Sequence, residues 1–259
     1  MAKVSVLILT KNEEKNISAC IESVKNFADE IIVIDDFSTD KTVEICEKLG
    51  AKVIRRELAG DWSSQRNFAI AQAKFEWIFM IDSDERATEK LSEEIKKILS
   101  EDDRKIAWQC ARLSYFWGQP LKHGGWFPDY VTRLLPREGT SVTGVVHEKI
   151  IHQCVEKKFD SQKYLVHYPY RNWEHHLSKM NTYTTLMAKK MHEAGKSANI
   201  LDMILHPFWA AFRMYILKGG FLDGLVGFIL SGFHYFYTME KYVKLYYYGK
   251  ENVHVTEKK

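Results

Sequence analysis

The sequence predicts an α/β protein: a mostly parallel sheet flanked by helices, with a helical C-terminal extension. Over residues 1–100, short apolar runs alternate with stretches of helical spacing. That is the pattern of strands covered on both faces by the helices that connect them. From Trp173 onward helical spacing dominates. Of 259 residues, 46% are apolar and 27% charged, the mix of a chain able to bury a core.

Val4–Leu9 is an apolar run ending at polar Thr10-Lys11-Asn12, hence a buried strand. Asn16 is placed to cap a helix in which Ile17, Cys20, Ile21, Val24 and Phe27 share a face. Residues 30–35 form the second strand. Thr39 or Asp40 caps a helix over 42–49 that Gly50 ends. A short strand over 51–54, a helix over 65–73, a strand over 77–81 and an amphipathic helix over 88–99 complete the alternation. Between 105 and 170 the pattern turns β-like and irregular, broken by Gly and Pro. The boundary falls near Arg171, giving regions 1–170 and 171–259.

Four cysteines, widely spaced and without a C-x-x-C pair, argue against a zinc ribbon or disulfide scaffold. They fit a reducing compartment. The opening apolar run is too short for a secretory signal. Residues 1–100 carry 15 Lys and Arg against 19 Asp and Glu, and residues 101–259 carry 22 against 15. Nucleic acid is a poor match for the basic half, because its cations are scattered and no nucleic-acid motif accompanies them. Mixed with many aromatics, they suit an anionic membrane surface instead.

Ligands of open α/β sheets bind beyond the carboxyl ends of the strands. Reading on from each strand gives Thr10-Lys11-Asn12-Glu13, then Asp35-Asp36-Phe37-Ser38-Thr39-Asp40, then Asp82-Ser83-Asp84-Glu85. Carboxylates gather at one edge. Neither G-x-G-x-x-G nor a Walker loop is present. A phosphate-bearing ligand here needs a hard divalent cation to screen it from those carboxylates.

Those three strand ends, with Val4–Thr10 before the first, resemble the signatures of family-2 glycosyltransferases of the GT-A fold. These are inverting enzymes that use nucleotide-diphosphate sugars. A narrower resemblance rests on Gln65-Arg66-Asn67, Gly124-Gly125-Trp126-Phe127-Pro128-Asp129, Val146-His147-Glu148 and Gly220-Phe221-Leu222-Asp223-Gly224. It points to a bacterial subgroup that includes glucosyltransferases of the lipopolysaccharide inner core. The resemblance implies a nucleotide-sugar half over 1–100 and an acceptor half over 101–170. Thr10, Asn12 and Glu13 line the nucleotide pocket, Asp36 contacts the base, Arg66 reaches the nucleotide, Asp82 faces the ribose, and Asp84, with Asp82, serves the metal, Mg2+ or Mn2+. The donor it implies is a UDP-sugar, UDP-glucose first, and the acceptor a lipid-linked saccharide.

Inverting transfer also needs a base for the acceptor hydroxyl. Glu148 is the first candidate and Asp129 the second. His147 orients the diphosphate, ligates the metal or packs. His175 and His176 read as surface or interface residues, lacking ligand spacing with a third partner. The longest uncharged run, residues 224–239, is too short to span a bilayer. The aromatic C-terminal region is expected to lie on a membrane or to pack internally or on a second subunit. The expected location is the cytoplasm, at the inner face of the cytoplasmic membrane. The competing readings are a transferase for another cell-surface glycan, a sugar-nucleotide pyrophosphorylase, and a catalytically dead saccharide-binding or scaffold protein. The pyrophosphorylase needs a Gly-rich basic loop that Thr10–Glu14 does not supply.

Overall fold

The structure, a computed structural model, describes residues 2–144 and 148–256, with side chains to Lys250. The chain forms two compact units. The first comprises 1–114 and 128–168, and the second comprises 115–127 and 169–259. Sequence alone draws one boundary near 171. The segment 115–127 instead joins the helical unit, because Phe116 and Leu121 bury themselves with Met214 and Leu230.

In the first unit the chain runs β1 (Val4–Thr10), α1 (Ile17–Val24), β2 (Glu30–Asp35), α2 (Thr42–Lys48), β3 (Lys52–Arg55), α3 (Trp62–Gln72), β4 (Trp77–Asp82), β5 (Glu85–Ala87) and α4 (Glu89–Glu101). β6 (Ile106–Phe116) leads out to β7 (Gln119–Pro120). The chain returns through β8 (Asp129–Pro136), β9 (Ser141–Thr143), β10 (Lys149–Ile151), β11 (Val155–Lys158) and β12 (Tyr164–His167). The main sheet has the order β3-β2-β1-β4-β8-β6-β12-β5. β1 pairs parallel with β2 and with β4, while β8 is antiparallel to β4 and β6.

Why the early strands are apolar without alternation follows from their two faces. Val4, Val6 and Ile8 join one core with α1 and α4, through Ile17, Ile21, Leu91 and Ile95. Leu7 and Leu9 join another with Ala69 and Ile70 of α3. Both faces are covered, so both must be apolar.

Two caps differ from expectation. Asn16 makes no capping bond to α1; its amide donates to Glu13 (2.7 Å) and its oxygen accepts from Arg86 (3.0 Å). α3 starts at Trp62, earlier than its apolar spacing shows, because Asp61 accepts from the Ser64 amide at 2.9 Å.

The helical unit holds α5 (Trp173–Glu193), α6 (Ile200–Phe212), a π-helical turn (Arg213–Leu217), a 3-10 turn (Gly220–Asp223) and α7 (Gly224–Thr256). His176 is buried, not on the surface, because Phe116, Tyr170, Trp173 and Phe233 surround its ring. That burial holds its imidazole below the usual pKa, and the neighbouring His175 adds to the effect. Residues 200–217, not 224–239, make the helix long and apolar enough to cross a membrane by length and composition.

Candidate active site

Parallel register puts the strand ends side by side. Thr10 is paired with Asp35, and Leu9 with Asp82. In the order β3-β2-β1-β4 the chain reverses its direction of progress between β1 and β4. The carboxyl edge there is the switch point where α/β sheets hold ligands.

One part of this edge is a small cavity lined by Thr10, Lys11, Asp36, Leu58, Trp62 and Gln65, among others. The Thr10 hydroxyl is buried and has no hydrogen-bond partner, an unmet demand that a ligand can satisfy. Asp36 accepts from the Lys11 ammonium (2.7 Å) and the Leu58 amide (3.0 Å). Burial alone would raise its pKa; those two donors outweigh burial and hold the carboxyl below its usual range.

Asn12 and Glu13 sit beside this cavity but are engaged in joining the two loops. The Asn12 amide donates to Ser38 Oγ at 2.8 Å, and its side-chain oxygen accepts from the Thr39 amide at 2.8 Å. The Glu13 amide donates to Thr42 Oγ1 at 2.8 Å. Asn12 and Phe37 both have left-handed backbones, φ 52° and 50°. For a bulky Phe that is strained. The following residue is fixed by Asp35, which accepts from both the Ser38 amide and its hydroxyl.

The larger part of the edge is a chain of alternating charges. Glu148 accepts from Arg66 Nε through both oxygens at 3.1 Å. Arg66 also donates to Asp82 at 3.0 Å. Arg133 donates to the other Asp82 oxygen (2.7 Å) and to Glu85 (2.5 Å). Arg112 reaches Glu85 at 3.5 Å and pairs with Asp129. Burial would push the Asp82 carboxyl up; Arg133 and Arg66 together hold it well below the carboxylate range. Glu85 is wholly buried and also accepts from the Asp82 amide at 3.0 Å.

Thus the structure brings Arg66, Asp82 and Glu148 together, and ties Asp129 to them through Arg112, Glu85 and Arg133. The hairpin β9–β10 that carries Glu148 is fixed to α3. Asn67 exchanges two 2.8 Å bonds with the Val142 backbone, and the Ser63 hydroxyl donates to the Gly144 carbonyl. His147 lies outside the described residues.

Sequence reasoning placed Lys11 and Glu85 at this edge without a role of their own, and missed Arg112 and Arg133. Arg112 and Arg133 carried a signal: each interrupts an apolar strand, and a guanidinium there needs a carboxylate partner. His167 was also missed. β12 pairs with β5 so that His167 lies opposite Glu85, with its Nε2 3.8 Å from Asp84 Oδ2. Its Nδ1 lies 3.0 Å from Ser114 Oγ. Two ligand atoms bound to one divalent ion at about 2.1 Å each fall within about 4.2 Å of each other, so Asp84 and His167 fit a shared cation. No group of three or more His, Cys, Asp or Glu suited to a metal occurs among the described residues. Any remaining ligands would be phosphate oxygens and water.

The family model for glycosyl transferase family 2 matches residues 5–151. The chain belongs to this family. Its fold is the GT-A fold, here with a C-terminal helical extension. An uncharacterized glycosyltransferase of Rickettsia felis is 33% identical over 242 residues, covering 89% of this chain and 85% of that protein. The lipopolysaccharide core biosynthesis glycosyltransferase LpsC of Rhizobium meliloti is 30% identical over 236 residues, covering 87% and 85%. The S. aureus TarS 1–349 structure aligns over 96% of this chain and 92% of that chain, at 15% identity and a TM-score of 0.48. Family-2 membership gives this chain glycosyltransferase activity.

Proposed function

We propose that this family-2 glycosyltransferase moves a hexose, glucose first among them, from a UDP-sugar to a lipid-linked bacterial saccharide of the lipopolysaccharide inner core, with inversion. The observation that carries the mechanism is the Glu148–Arg66–Asp82 chain beside the Asp36 cavity. The likeness to LpsC supports the acceptor class.

In this reading Asp36 accepts from the nucleotide base, and Thr10 supplies its unpaired hydroxyl in the same cavity. Arg66 fixes Glu148 in place. Glu148 takes the proton from the acceptor hydroxyl as that oxygen bonds to the anomeric carbon and the diphosphate leaves from the opposite face. Asp129 positions the acceptor sugar. Asp84 and His167 would hold Mg2+ or Mn2+, with His167 Nε2 left as a ligand when Nδ1–H donates to Ser114. When bound, that ion would neutralise charge on the leaving diphosphate.

The protein works, in this reading, at the inner face of the cytoplasmic membrane, as a peripheral protein. Its exposed aromatic helices and four free cysteines support this. A thermal-shift panel of nucleotide sugars, with and without manganese, tests donor and metal together. The expected result is the largest stabilisation by UDP-glucose with manganese, because a ligand bound only to the native state raises apparent stability. Asp84→Asn and His167→Gln should each remove the manganese increment. Full turnover in excess chelator would overturn the metal assignment.

A further inference from the structure

The helical unit contains a cavity of about 520 Å³, in the range of small-molecule sites. Its lining differs from that of the sheet edge. Arg213, Lys218 and Lys241 all face it, with His206 and His234, and no carboxylate lines it. The nearby carboxylates have partners other than these three cations, Asp202 through His206 of the cavity wall itself. Asp202 Oδ1 lies 3.3 Å from His206, Glu240 pairs with Lys244 at 2.6 Å, and Asp223 pairs with His123 at 2.7 Å. Among the described residues, none of the three cations forms an ion pair with a carboxylate.

The chain is shaped to keep those cations there. Asp223 accepts from the Lys122 and His123 amides, at 3.3 and 2.9 Å, and so pins the loop that leads into Gly124 and Gly125. Gly125 has φ +85°, and a Cβ there would come within 2.5 Å of Lys218 Nζ. The absent side chain is what lets Lys218 lie across the cavity wall. Burial holds the Lys241 ammonium below its usual pKa, and burial with Lys241 and Lys218 does the same to His234. Like charges gathered in a partly desolvated cleft repel one another and raise the local concentration of anions.

The wall continues into an apolar surface. His206, Trp209 and Arg213 recur at helical spacing on one side of α6 and its π turn. Leu201, Leu205, Phe208 and Phe212 occupy the neighbouring side, and Leu201 and Phe208 are 63% and 61% exposed. Trp209 belongs to both, since it lines the cavity and is 56% exposed. An anion site bordered by exposed hydrocarbon is complementary to an amphiphile with a phosphorylated head.

We propose that this cavity binds the phosphate of a phosphorylated amphiphile, with Arg213, Lys218 and Lys241 on the phosphate and the exposed face of α6 on the hydrocarbon. The proposal deepens the lipid-linked acceptor reading and rests on it; it names the chemical group by which such a molecule is held. A diphosphate or monophosphate headgroup fits equally, and the apolar face separates both from free phosphate.

The test uses the full chain and vesicles of phosphatidylcholine with and without phosphatidic acid. Wild type should bind the phosphatidic acid vesicles far more tightly. Changing Arg213, Lys218 and Lys241 together to Gln should lower that affinity on the order of 100-fold. Lys90→Gln with Lys97→Gln, exposed cations on α4, should leave it near wild type. Leu205→Gln with Phe208→Gln should weaken vesicle binding while inorganic phosphate still competes for what remains. Equal binding by the triple variant, or equal loss in the α4 control, overturns the site. Inorganic phosphate binding as tightly as the vesicles overturns the amphiphile. If the triple variant does not fold, exposed Lys218→Glu replaces it with the same expected direction. Calorimetry with UDP keeps the two readings apart. Absence of UDP binding by the wild type would count against the UDP-sugar reading, and unchanged vesicle binding in the variants counts against the cavity.

Discussion

In the sheet unit, Arg66, Arg112 and Arg133 each meet at least one carboxylate, and Glu85 between them is wholly buried. In the helical unit, Arg213, Lys218 and Lys241 converge with no carboxylate in the lining, and large apolar side chains face outward. The contrast is physical. A paired, buried network fixes geometry, and breaking it strands a charge. Cations that line a cleft without a carboxylate partner contribute no ion pair to stability and are available to an anionic ligand.

The largest expected effect is on rate. Glu148→Gln retains size and the contact with Arg66 but cannot take a proton. Turnover should fall ~10²–10⁴-fold, with donor affinity near wild type, the mark of an interaction made mainly in the transition state. Asp129→Asn should act more on acceptor KM. Steady-state kinetics with one acceptor compares them. A dead Asp129→Asn beside an active Glu148→Gln would reverse the assignment.

Next comes stability. Arg133→Met leaves Asp82 with Arg66 as its one guanidinium and leaves Glu85 with the Asp82 amide and a long contact to Arg112 as its one cation. The cost should be ~3–5 kcal/mol, read from urea unfolding. Arg213→Gln, with no ion pair to lose, should change stability by no more than ~0.5 kcal/mol. Equal costs would erase the distinction between the units.

Asp36→Ala removes the acceptor of Lys11 and Leu58 and the proposed contact to the base. Affinity for free UDP should drop roughly ten- to 150-fold, the worth of a charged hydrogen bond of ~1.5–3 kcal/mol. Calorimetry reads it directly, and an unchanged affinity would remove Asp36 from the nucleotide pocket.

The smallest effect is in pH dependence. Asp82 and Asp36 are held below their unfolded pKa of ~3.9. Each therefore contributes stability that is complete above that value and is lost as pH falls through it toward the folded pKa. Acid unfolding of the wild type should thus be steeper than that of Arg133→Met, whose Asp82 has lost one of its two guanidiniums. Parallel acid limbs would mean that Arg133 contributes little to the low pKa of Asp82.

Comparing expectation with structure separates two kinds of information. The positions of Asp36, Asp82 and Asp84 were legible because each follows directly from the end of an apolar strand, and strand ends of a parallel sheet share an edge. Arg112 and Arg133 were not, because their partners lie across strands far apart in sequence. Arg112 stands opposite Asp129 only when β6 and β8 pair. The same holds for His167, which reaches Asp84 through the pairing of β12 with β5. In the helical unit, the sequence showed aromatics and cations at helical spacing but not which faced inward. His176 went into the core and Phe208 outward.

What the sequence determined by itself was local and periodic: the α/β alternation, the covered faces of the first strands, and the acidic strand ends that go with the family. These depend on residues a few positions apart, so spacing encodes them. Tertiary structure alone decided which charges neutralise each other and which remain unpaired. Segment 115–127 shows the same division, since its membership of the helical unit depends on Met214 and Leu230, about a hundred residues away. The physical reason is that an ion pair or a cavity wall forms between groups brought together by strand pairing and helix packing, and no local pattern records those meetings.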